Sequence, residues 1–185
     1  MGLLLLLTFY LIVVFVLVGK NPIGFLRDIR ETQLLAFSTS SSAAVMPLSM
    51  KTAEEKLQIS KPVSQFVIPL GATVNMDGTA LYQVIAAVFL TQVYGIDLTI
   101  GQLSLFAATT LGASIGSPNT PGVGIVILAT IEQGIGVPAE GIALILGVDR
   151  ILDMARTAVN VSGDLTARVV MEKWLHDDVI VHVDN

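Results

Sequence analysis

The stretch DRILDMARTAVNVSGD, Asp149 to Asp164, carries three aspartates, two arginines and an asparagine through an otherwise apolar segment. It follows Gly141-Ile-Ala-Leu-Ile-Leu-Gly-Val148 and leads into Val169-Val170-Met171. Read as a helix, it places Asp149, Asp153, Arg156, Thr157, Asn160 and Asp164 at helical spacing on one face. Ile151, Leu152, Ala155 and Val159 form the other face. A charged group at bilayer depth costs several kcal/mol unless it is paired or wetted. The stripe therefore has to face a cavity or the interior of a bundle. Buried ion pairs are poor sources of stability, so packing alone is a weak reason to accumulate them. Function is the stronger one.

The surroundings are those of a membrane protein. Of 185 residues, 53% are hydrophobic and 14% charged, and the mean hydropathy is +0.77; soluble domains carry about 25% charged residues. The net charge of −5 comes partly from the acidic tail. There is no basic patch interleaved with aromatics, which argues against nucleic acid. The absence of cysteine excludes disulfides and thiolate metal sites. Leu3 to Gly19 is one apolar run of about 25 Å as a helix, near the lower limit for crossing a bilayer core. A signal peptide would carry charge at its start and small residues at a cleavage site. This run has neither, so residues 1–19 are expected to be a transmembrane helix.

Lysine and arginine cluster at 20–30, at 51–61 and at the C-terminus, with Arg168 and Lys173 in the last group. None occurs from Pro62 to Asp149. The positive-inside rule puts these clusters in the cytoplasm and the turns near Tyr94–Asp97 and Gly134–Pro138 outside. Segment 31–59 then starts and ends on the same side, with STSSSAA at its centre, and is expected to form a re-entrant hairpin. Irregular backbone at that depth needs protein or a cavity around it. Residues 62–94 read as a helix broken at GATVNMDGT. Segment 101–132 is expected to be a second re-entrant hairpin, entering from outside, because ASIGSPNTPGVG cannot continue a helix. Residues 138–173 read as a long helix and 174–185 as a polar cytoplasmic tail. The core, 20–173, thus repeats one layout twice with opposite entry: a hairpin, then a span with buried polar groups. The expected fold class is an all-α integral membrane protein, with two re-entrant hairpins in an inverted repeat. That layout marks secondary transporters, whose sites lie at the repeat interface.

The residues suggest a chemistry. Arg156 can hold a carboxylate through two parallel hydrogen bonds, and Asp153 can receive an ammonium group, so together they suit an acidic amino acid. Asn75, Asp77, Asn160 and Asp164 are hard oxygen donors which, with carbonyls freed at the helix break, can coordinate Na⁺. Asn75 and Asp77 could instead simply cap the break. The tips at 38–42 and 113–124 could offer backbone N–H groups to a carboxylate or be only tight turns.

STSSSAAVMP, NMDGT, GSPNTPGVG and DMARTAVNVSGD resemble, in order and spacing, the signature stretches of the dicarboxylate/amino acid:cation symporters, the glutamate transporter family. The resemblance covers nearly the whole chain. It implies sodium-coupled symport of an acidic amino acid or dicarboxylate across the plasma membrane, with Na⁺ as coupling ion, no cofactor, and a homotrimer in full-length relatives. It implies substrate contacts from Ser42, Thr79, Thr120, Gly124, Asp153, Arg156, Thr157 and Asn160. It implies one sodium site at Gly71, Asn75, Asn160 and Asp164, a second at Thr73, Ser114, Ile115 and Ser117, and a third that includes Asp77. The chain departs from the pattern at Ser40 and Met154, where some members carry an arginine. It departs again at Pro118, Asn119 and Thr120, which replace small residues. It is expected to be a C-terminal part lacking the scaffold, so a non-transporting fragment or subunit is the alternative reading. An enzyme is not expected. Gly112-Ala-Ser114-Ile-Gly116 matches G-x-S-x-G, the mark of a serine hydrolase, but that motif needs a strand–turn–helix setting and a histidine partner. The two histidines, His176 and His182, lie in the tail.

Overall fold

The computed structural model describes residues 1–115, 120–134 and 136–183, and among these the chain is helical with no strand. Helix α1 spans Gly2–Val13 and continues as a π-helical segment, Val14–Val18. Gly19 ends it in the left-handed region at φ 76°. Asn21 then opens α2, Pro22–Thr39, its side chain accepting from the Ile23 and Gly24 N–H groups, with Pro22 in the first turn where its missing N–H costs nothing. Ser41 caps α3, Ser42–Glu55, in the same way. Helix α4, Lys61–Val74, stops at Asn75, and α5 starts at Asp77 and runs to Val93. Thr99 and Gln102 form a reciprocal capping box at the start of α6, Ile100–Ser114. Helices α7, Val123–Gly134, and α8, Ala139–Val183, complete the chain.

Helix α8 is the hub. It packs against α1, α2, α3, α4, α5 and α7. One apolar cluster joins Phe25, Ile29 and Ala36 of α2, Val45 of α3 and Val67 and Ile68 of α4 to Val161, Leu165 and Val169 of α8. A second joins Leu90 of α5, Phe106 of α6 and Leu128 of α7 to Ile145, with Leu152 against it. The polar stretch from Asp153 to Asn160 lies along α8 between the two sets of contacts.

The all-helical expectation holds. The helical path is interrupted at Asn75–Met76, and α2 contacts α3 and α6 contacts α7. Some extents differ. The first helix pair begins at Pro22 rather than 31, and α8 continues to Val183 through the segment read as a tail. Over the segment 1–19, expected to span the membrane, the structure has α1 and its π-helical continuation. Among the described residues no helix is long and apolar enough to cross a membrane. Helix α1 has 12 residues, about 18 Å, before its hydrogen bonding changes to the π pattern. Helix α8 has the length but carries the charged stripe. Arg168, grouped above with the cytoplasmic charges, is 0% exposed.

Candidate functional site

The break between α4 and α5 meets the polar face of α8. The Asn75 side-chain amide donates to Asp164 Oδ1 at 3.0 Å and to the Asn160 carbonyl at 3.5 Å. The Gly78 N–H, in the first turn of α5, donates to Asn160 Oδ1 at 2.8 Å. Asn160 Nδ2 donates in turn to Thr79 Oγ1 at 3.2 Å and lies 3.6 Å from Met76 Sδ. A broken helix leaves backbone donors and acceptors without intrahelical partners, and here one donor is taken up by an α8 side chain. Gly71 approaches Asp164 so closely that a Cβ would lie 2.8 Å from Oδ1. Gly71, Asn75, Asn160 and Asp164 are therefore neighbours, presenting carboxylate, amide and carbonyl oxygens. That donor set suits a hard cation.

One to two turns earlier on α8 lies a second constellation. Asp153 Oδ1 accepts from Arg156 Nη2, and Asp153 Oδ2 accepts from the Gly122 N–H at 3.1 Å. Arg156 is 2% exposed, and its Nη1 has no hydrogen-bond partner among the described residues. Its guanidinium lies 4.5 Å from the centroid of the Tyr82 ring, a cation–π distance. The Tyr82 hydroxyl donates to Asp149 Oδ1 at 2.8 Å. Gly124 closes the other side: a Cβ there would sit 2.6 Å from both terminal guanidinium nitrogens. The Gly124 carbonyl accepts from Gln83 Nε2 at 3.1 Å. The start of α7 is thus fastened to α5 as well as to α8. Thr157 is buried, and its hydroxyl donates to the Asp153 carbonyl at 2.9 Å.

Other expected site residues stand apart. Thr73 is exposed, and its hydroxyl donates back to the Pro69 and Leu70 carbonyls of its own helix. Ser114 is buried and donates to the Leu111 carbonyl, and Ile115 is 54% exposed. Ser117 lies outside the described residues. Asp77 accepts from the Tyr10 hydroxyl at 2.8 Å, which ties α1 to the break. Thr120 is exposed. Ser42 is buried at the start of α3, beside Ser40, which adopts φ 52° and has a buried hydroxyl without a hydrogen-bond partner among the described residues. No hydrogen bond joins Ser42 to α8 among the described residues.

The sequence reading missed Tyr10, Met76, Tyr82 and Gln83. Tyr82 and Gln83 follow NMDGT on α5 by three and four residues, a helical spacing that could have pointed to them. Tyr10 carried no such signal, because only tertiary packing sets it against Asp77. Ser114 of the G-x-S-x-G match is the last residue of helix α6, which does not follow a strand.

The model of the sodium:dicarboxylate symporter family matches residues 1–174. The chain belongs to this family. Membership makes it a multi-pass protein of the plasma membrane and a member of a family of transporters, not of enzymes. It is 49% identical over 172 residues to the proton/sodium-glutamate symport protein of Bacillus subtilis. It is 45% identical over 159 residues to excitatory amino acid transporter 3 of Mus musculus, and 37% identical over 171 residues to an excitatory amino acid transporter of Caenorhabditis elegans. These alignments cover 91%, 86% and 92% of this chain, but only 40%, 30% and 34% of the relatives. The chain thus spans a third or so of their length.

Proposed function

We propose that this chain forms the binding core of a symporter that carries an acidic amino acid together with sodium. The observation that carries the reading is the state of Arg156. Its guanidinium is buried, pre-oriented by Asp153, Tyr82 and Gly124, and only partly engaged. A buried guanidinium with an unused donor is an incomplete arrangement, because each unmet buried polar group costs about 1–3 kcal/mol. A substrate side-chain carboxylate completes it. Asp153 is freed to accept the substrate ammonium as the carboxylate takes over the arginine, so one ion pair is exchanged for two. Thr157 and Asn160 flank the space for the main-chain groups. Sodium is cargo, held by the oxygens of Gly71, Asn75, Asn160 and Asp164. Its charge offsets the Asp164 carboxylate, which links ion binding to the break that also positions Thr79. Asp77 with Tyr10 is a further candidate ion position, and Thr73, Ser114, Ile115 and Ser117 are kept as another. Ser42, Thr120 and Gly124 are the contacts proposed from the two tips.

No described helix is long and apolar enough to cross alone. We infer that the crossings are made by consecutive segments: α1 with its π-helical continuation, and α4 with α5.

The test is calorimetric titration of L-aspartate and L-glutamate into the purified chain, in sodium and in potassium. Sodium-dependent binding abolished by Arg156→Ala supports the reading. Binding that ignores sodium, or that survives Arg156→Ala, refutes it. Uptake of labelled aspartate into vesicles under an inward sodium gradient separates transport from binding alone.

A further inference from the structure

Arg168 has no role in the site described above, yet its burial is extreme. It is 0% exposed, and Nε, Nη1 and Nη2 all lack a hydrogen-bond partner among the described residues. Its neighbours in sequence, Leu165 and Val169, belong to the apolar cluster shared with Val67 and Ile68 of α4. The facing helix offers little. Gly71 packs on Asp164, and Ser60 donates to Glu172 at 2.8 Å, so α4 and α8 run antiparallel here. The stretch of α4 opposite Arg168 carries Ser64, itself buried and without a hydrogen-bond partner among the described residues. An ionised group left like this is strongly unfavourable. It is tolerable where a partner is available for part of the working cycle.

The nearest candidate on the same face is Asp164, one turn earlier. Residues at i and i+4 have Cβ atoms about 5–6 Å apart, within easy reach of an arginine side chain. In the arrangement observed, Asp164 is turned to Asn75 and the guanidinium is disengaged. Glu172, one turn later, accepts from Ser60 in an exposed bond, whereas Asp164 is buried as Arg168 is. Closed off from solvent, Arg168 is not placed to hold a lipid headgroup or to act as a surface anchor.

We propose that Arg168 is a built-in counter-cation for Asp164 that competes with sodium. It closes on the carboxylate when the ion leaves and is displaced when the ion binds. The ion-free core then never carries an unpaired buried carboxylate, and sodium affinity is held below what the oxygen ligands alone would give. This rests on the reading of Asp164 as a sodium ligand.

Sodium titration by calorimetry on the folded chain in lipid nanodiscs tests it, comparing wild type with Arg168→Met, Arg168→Gln and Arg168→Lys. The neutral variants are expected to bind sodium about tenfold tighter or more, the size of shift that one nearby unit charge imposes on a carboxylate's affinity for a cation. Arg168→Lys, which keeps the charge, is expected to stay near wild type. The neutral variants should also melt lower than wild type without sodium and level with it in saturating sodium, a pattern that a purely structural role does not produce. Two neutral variants are used so that misfolding of one leaves the other to decide. Wild-type sodium binding with unchanged or weaker binding in a folded neutral variant overturns this proposal alone. No sodium binding by wild type overturns the proposed function, and this inference with it.

Discussion

Gly124→Ala isolates the geometry around Arg156. The new methyl carbon would lie 2.6 Å from Nη1 and Nη2 and 2.7 Å from Cζ, far inside van der Waals contact. A flexible side-chain end usually yields to such an intrusion. This one is held by Asp153, lies over Tyr82 and is 2% exposed, so yielding means giving up its orientation. The backbone of Gly124 has little freedom to retreat, because its carbonyl accepts from Gln83. The damage should therefore fall on carboxylate recognition. Hydrogen bonds to charged groups contribute about 1.5–3 kcal/mol. Since 1.4 kcal/mol is tenfold in affinity, losing one such bond predicts roughly 10- to 100-fold weaker acidic amino acid binding. Overpacking itself costs about 1–3 kcal/mol of stability. The assay is calorimetric titration of L-aspartate in sodium, with the melting temperature and a sodium titration without amino acid alongside. Sodium affinity should change far less than aspartate affinity. Wild-type aspartate affinity in Gly124→Ala would refute the packing argument. Equal loss of sodium and aspartate binding would show a general collapse instead.

Gly71→Ala should do the converse, weakening sodium binding first, because its Cβ would meet Asp164 Oδ1 at 2.8 Å; sodium titration reads this directly. Tyr82→Phe keeps the ring under Arg156 but removes the bond to Asp149; about 1 kcal/mol of stability should be lost, measured by denaturant unfolding in detergent. Thr99→Ala removes half of a capping box and should cost roughly 1 kcal/mol with substrate affinity intact. The exposed Glu31 carboxyl is held below its ordinary range, first by the hydrogen bond from Lys56 and then by that residue's charge. Its contribution is present above the ordinary glutamate range and fades as pH falls through its lowered value. Glu31→Gln should flatten the acid side of the melting-temperature profile slightly, since exposed pairs contribute little.

Much of this molecule was legible from local pattern. The helix break at Asn75–Met76 follows from GATVNMDGT, in which Gly71 and Gly78 bracket Asn75 and Asp77. The pairing of α2 with α3 follows from a serine-rich tip between two helical stretches. The shared face of Asp153, Arg156, Thr157 and Asn160 follows from helical periodicity alone, and so does its need for burial. The resemblance named the family, and the family match over residues 1–174 bears it out.

What stayed hidden depends on contacts between segments distant in sequence. Tyr10 and Asp77 are 67 residues apart, and no periodicity connects them. Thr73 sits in the same motif region as Asn75, yet it turns outward because its rotation about α4 differs by two residues. Arg168 looked like a cytoplasmic charge because the positive-inside rule assigns clusters of lysine and arginine to that side. Only the packing of α4 on α8 encloses it. Sequence by itself determined which faces are polar and where helices must stop, since backbone hydrogen bonding and hydrophobic periodicity are local. The tertiary structure decided which polar groups meet and which are left without a partner, since burial and pairing belong to neighbours brought together by the fold.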